Sequence, residues 1–185
     1  MTTPLIERHR RSRHRRALGY WCVLIAMYAS LALGSTLRPP AGIHYSALFV
    51  HLASVIVGLG AAVLLEFYGL QWARGRATLD DLRRIERSVT GLAWLAIAGL
   101  LASGALLEPD LADPLTDIKM LAVLIVAMNG VAMTRLTGEL ARLPGSVAFA
   151  RLPQRFRFWC VWSASVSQAG WWTAVVIGML NTSSA

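Results

Sequence analysis

Apolar and polar stretches alternate along the chain at lengths that suit membrane helices. The longest apolar stretch is residues 46–70, SALFVHLASVIVGLGAAVLLEFYGL. A helix of about 25 residues crosses a hydrocarbon core of roughly 30 Å. Four further apolar runs, at 18–34, 90–107, 118–136 and 158–180, bring the expectation to five transmembrane helices. The stretches between them are polar, with prolines among them, such as Pro39 and Pro40, then Pro109 and Pro114. Thr78 and Asp81 have the spacing of a helix N-cap, which predicts a short surface helix ahead of 90–107. The fold class is therefore all-α, a polytopic membrane helix bundle forming one domain over 18–180. A basic segment, 1–17, precedes it, and a short uncharged tail, 181–185, follows.

Composition supports this reading. The chain is 56% hydrophobic, against about 45–50% for a soluble domain. A formal net charge of +8 in a soluble protein would suggest nucleic acid as a partner. Here the arginines sit in short segments between apolar runs, so membrane topology accounts for them and nucleic acid is not expected. With the N-terminus inside, the inner segments hold six, five and five arginines, Arg135 included, and the outer ones only Arg38 and Lys119. That asymmetry predicts N-in, C-out, with the acidic 108–117 segment outside. The bilayer is thus the first partner, with anionic lipid head groups at Arg8, Arg10, Arg11, Arg13, Arg15 and Arg16. Ala32-Leu33-Gly34 before Ser35 resembles a signal-peptide cleavage site. The length of the first run and its Tyr20, Trp21 and Tyr28 favour a retained helix. Two cysteines, Cys22 and Cys160, make no disulfide framework and read as buried thiols. No metal-binding motif, Walker loop or GxGxxG occurs.

Polar residues inside the apolar runs are the candidates for chemistry, because their desolvation is costly. His51 lies roughly 8 Å below the outer end of its helix, and Ser103 at a similar depth. Two readings of His51 stand: a hydrogen bond to a neighbouring helix through Ser54, Ser103 or a carbonyl, or a haem ligand, metal ligand or proton carrier. His44 is two turns away, too far to share one iron, and no other helix offers a histidine. Lys119 either snorkels outward beside Asp117 or forms the cationic end of an outer pocket. Trp171 and Trp172 lie too deep for an interfacial belt and are candidates for a pocket wall. Asn129, beside Gly130, is either interhelical glue or a pocket residue. Glu66 lies roughly 22 Å from His51 along the axis. Arg135 is its expected ion-pair partner, and a proton-transfer role is the alternative.

Three stretches carry a family resemblance: HLASVIVGLGAAVLLEF, RRIERSVTGLAWLAIAGLLASGALL and DIKMLAVLIVAMNGV. They resemble a group of small uncharacterised bacterial membrane proteins, some joined to a cytochrome b5-like domain. The SVSQAGWWTAVVIGMLN ending resembles the same group. More distantly, residues 46–135 are similar to CopD-like and HemJ-type protoporphyrinogen oxidase membrane proteins. The resemblance implies a bacterial plasma membrane protein, with His51 and Lys119 tied to haem or porphyrin chemistry. The HemJ-type pattern has a tryptophan and an arginine soon after the histidine, where this chain has Val57 and Leu64-Leu65.

The expected function is a redox- or tetrapyrrole-associated membrane protein. Its outer-half pocket would be built on His51 and Lys119, with Trp171, Trp172 and Asn129 as further cofactor-binding candidates and haem b or a quinone as cofactor. One alternative is a non-enzymatic subunit or assembly factor, whose partners are other membrane subunits or further copies of the chain. Another is a small proton-coupled transporter using Glu66 and His51.

Overall fold

The computed structural model describes the backbone of residues 3–183 and the side chains of residues 14–180. Five α-helices fill most of the described residues: α1 (Thr3–Thr36), α2 (Ala41–Ala73), α3 (Leu79–Gly104), α4 (Pro114–Leu140) and α5 (Gln154–Ser183). A 3-10 turn at Phe149–Arg151 leads into α5, and no strand occurs among the described residues. Four stretches are long and apolar enough to cross a membrane: His14–Thr36, Ala41–Ala73, Leu79–Gly104 and Pro114–Leu140. These are the features of a multi-pass membrane protein. α5 covers the expected fifth run as a helix of 30 residues. Side chains of the arginines before position 14, and of the tail from Asn181 on, lie outside the described residues.

The helices outrun the apolar segments that announced them. α2 begins at Ala41 rather than at 46 and ends at Ala73. There a Schellman motif stops it: Arg76 N–H donates to the Gln71 carbonyl and Gly75 N–H to that of Trp72, with Gly75 at φ 72°. The expected short surface helix is not separate. The Thr78–Asp81 capping box is present, but it opens the continuous 26-residue α3. Once a cap satisfies the first amides, nothing interrupts the ladder between the polar turns and the apolar ones. α3 stops at Gly104, short of the expected 107. Glu108 follows with φ 48°, and its carboxylate lies 3.5 Å from Arg38. α4 opens on Asp113, which accepts from Leu115 N–H at 3.0 Å, and Pro114 fills its first position.

α2 packs along α3 and α4 along α5, while α1 lies against both α3 and α4. Small residues set the spacing. Gly99 faces Ser54, Gly58 faces the Trp171 ring, and Gly170 faces Val126 and the Ala122 carbonyl. Close approach of this kind is how helices associate where lipid removes the hydrophobic drive. Between them sits a core of Val23, Ile97, Leu100, Val126, Ala127, Val131 and Trp171. A second cluster closes the arginine-rich end of the bundle with Trp72, Leu79, Leu136, Leu140 and Leu152. Trp72 Nε1–H donates to the Val147 carbonyl at 2.9 Å. Arg83 donates to the carbonyls of Leu140 and Leu143, holding the loop after α4. Outward-facing side chains are large and apolar, with Phe49 at 74% and Ile56 at 72% exposure. Such a surface suits lipid.

The Gly58–Trp171 contact makes a prediction. Gly58→Leu drives a side chain into the indole and is expected to cost about 1–3 kcal/mol, as overpacking does. Thermal unfolding of the detergent-purified protein reads it. Adding Trp171→Ala to Gly58→Leu is expected to recover part of the loss, and no recovery would rule the contact out as the cause.

Candidate functional site

His51 turns toward α3, and its Nδ1 is 3.0 Å from Ser103 Oγ. The Ser103 hydroxyl can donate its one proton to the Gly99 carbonyl. The Ser103 oxygen can also accept, so which of the two donates between the helices follows the imidazole tautomer. This is the interhelical hydrogen bond that the sequence offered as one reading of His51. Lys119, half-buried at the start of α4, is close enough to His51 for its charge to act on the ring. It also feels Asp113. These two candidates are therefore neighbours at the acidic end of the bundle.

The other candidates do not gather around them in the way expected. Trp171 is 4% exposed and lies against Gly58, roughly two turns along α2 from His51. Trp172 is not a wall: it is exposed, and its Nε1–H donates to Gln168 Oε1 at 2.9 Å along its own helix. Consecutive positions on a helix diverge by about 100°, so only one of the pair can face inward. Asn129 joins α4 to α5 through two bonds. Its Nδ2 donates to the Ser163 carbonyl at 2.9 Å, and it accepts from Ser163 Oγ at 2.9 Å.

The expected Glu66–Arg135 ion pair is not formed. Arg135 Nε meets Glu139 Oε1 at 3.0 Å, one turn along α4. Arg135 faces a groove on the α1 side of the bundle. Glu66, half-buried on α2, lies near Gln168 and Ser167 of α5. The error came from matching depth alone: α2 packs on α3 and α5, so its inward residues meet those helices first.

Glu66 lines a cavity of about 850 Å³ between α2, α3, α4 and α5. Trp171 lies at one end and Trp72 with Leu140 at the other, while Ala61, Leu65, Val126 and Met133 supply apolar wall. Asn129, Ser163, Ser167 and Gln168 add neutral hydrogen-bonding groups, and Glu86 and Thr137 stand toward the arginine-rich end. Sequence reasoning put the polar cluster in the other half and missed this one. The signal was there in part: Ser163, Ser167 and Gly170 follow a helical stripe, and Gln168 adjoins it. What was absent was the helix order, which decides whom that stripe faces. A volume near the upper end of the roughly 300–1,000 Å³ of small-molecule sites suits an elongated ligand. Among the described residues no group of three His, Cys, Asp or Glu side chains that could hold a metal ion forms.

Comparison with protein-family models, with curated proteins and with solved structures finds no match to this chain.

The revised placement of Glu66 is testable. Glu66→Gln keeps a polar group of the same shape beside Gln168 and Ser167, and its stability is expected to stay near that of the parent. Glu66→Lys puts a cation into the cavity and is expected to destabilise. A double-mutant cycle of Glu66→Gln with Arg135→Gln is expected to show coupling below about 0.5 kcal/mol. A larger coupling would restore the ion pair.

Proposed function

We propose that this is a five-span protein of the bacterial plasma membrane, N-terminus inside and C-terminus outside. In this reading it binds an elongated, membrane-soluble molecule with a hydrogen-bonding head, of the quinone type, in the Glu66 cavity. The observation that carries the proposal is a half-buried carboxyl, Glu66, sharing with the neutral Gln168 and Ser167 a cavity otherwise mostly apolar. An intramembrane acid placed this way marks function more often than packing. The head group would bond Glu66, Gln168 and Asn129, and the apolar remainder would lie along α2 and α4. Arginine-rich segments at one end and the acidic segment at the other support the orientation.

A second reading has one observation in its favour. His51 and Lys119 lie near enough for the lysine charge to act on the ring, which suits the tetrapyrrole association implied by the HemJ-type resemblance.

Absorbance and organic extraction of the purified protein separate the two. The expected result is a lipid-soluble ultraviolet chromophore that is lost in Ala61→Trp, which fills the cavity. A Soret band that shifts with dithionite favours the second reading instead. A colourless protein with nothing to extract overturns both. Orientation is read by an impermeant thiol reagent, with Cys22 and Cys160 first replaced by alanine. Asp110→Cys is expected to label in intact cells and Arg84→Cys only after lysis, both positions being exposed. The reverse pattern would invert the topology.

A further inference from the structure

The groove on the other side of α3 and α4 has a different chemistry. It measures about 1000 Å³ and is bounded by α1, α3 and α4. Arg15 and Arg16 of α1, Arg135 of α4 and Arg142 just past the end of α4 stand on it, with Glu139 as its one acidic residue. Glu139 already pairs with Arg135 at 3.0 Å, so the cations remain in excess. Arg135 and Gly138 lie three residues apart on one face of α4, and Arg142 follows in the turn just past its end. A Cβ on Gly138 would meet nothing within 4 Å, which leaves open space between the two arginines. Away from this mouth the wall turns apolar: Val23, Ala26, Ile97, Leu101 and Val131. Cys22, expected to be buried, is exposed here and lines the same wall.

We propose that this groove holds one acidic phospholipid, its phosphate on the four arginines and an acyl chain along the apolar wall. Guanidinium forks match phosphate oxygens in geometry as well as charge. The arginines sit where the apolar part of α1 begins and where α4 ends, the level at which head groups lie. Free phosphate shares the head-group chemistry but has no use for the apolar wall, so the two-part lining selects a lipid. The site is separate from the Glu66 cavity, with Trp94 and Ile97 in the wall between them.

Native mass spectrometry of the full detergent-purified chain, with phosphatidylglycerol and phosphatidylcholine added in equal amounts, tests this. One phosphatidylglycerol is expected to be retained in roughly tenfold preference, in line with the attraction of basic residues for anionic lipid. The double variant Arg135→Gln/Arg142→Gln is expected to lose the preference. Ala26→Trp is expected to lose the adduct with every arginine in place, whereas Arg38→Gln, at the other end of the bundle, keeps it. Equal retention of the two lipids overturns the proposal, as does a full adduct in Ala26→Trp. Inorganic phosphate that displaces the lipid would reduce the groove to a simple anion site and overturns it too. Should the variants fail to fold, thermal unfolding of the unaltered protein decides: phosphatidylglycerol is expected to raise its midpoint more than phosphatidylcholine, and equal effects overturn the idea.

Discussion

Everything in this bundle depends on how closely its helices approach one another at glycine. In lipid, an apolar side chain gains little by leaving hydrocarbon for protein, so contact must come from packing and from polar bonds. Gly58 admits the Trp171 ring between α2 and α5. Gly99 admits Ser54 between α2 and α3, and Gly170 brings α5 onto the Ala122 carbonyl of α4. Each contact exists because the glycine has no Cβ where an indole, a hydroxyl or a valine of the next helix comes close. The resulting core is small, and the space left between the two helix pairs becomes the cavity.

Polar bonds then fix the register that packing alone leaves loose. Asn129 and Ser163 exchange two bonds between α4 and α5. His51 and Ser103 do the same work between α2 and α3 with one. Trp72 and Arg83 reach backbone carbonyls of the last residue of α4 and of the loop after it. A side chain in hydrocarbon has few alternative partners, so bonds of this kind are directional constraints even when their net energy is modest, about 0.6–2 kcal/mol each.

The sequence made the helices legible and left their neighbours hidden. Apolar run length located all five elements, and the Thr78–Asp81 spacing located a cap. Run length says nothing of where a helix stops outside the hydrocarbon, hence the longer α2 and α3. Depth was legible for His51 and Ser103, which do meet. Depth failed for Glu66 and Arg135, because equal depth on two helices brings residues together only if those helices share a face. The Trp171-Trp172 pair shows the same limit. Both residues are large and aromatic, yet one is sealed in the core and the other is exposed.

The Trp72 cluster at the arginine-rich end has a consequence for traffic. It stoppers the cavity against the polar loops, since Trp72 and Leu79 are almost wholly buried there. Val63 and Phe67 of α2 and Val161 of α5 line the cavity and are also exposed on the outer surface of the bundle. The cavity thus borders the outer surface of the bundle on the side of α2 and α5, where a membrane would place lipid tails. Under the proposed function, a ligand entering from that side would never cross water. Its supply would follow its partitioning into the bilayer, so abundance in the membrane, rather than in solution, would set how full the cavity is.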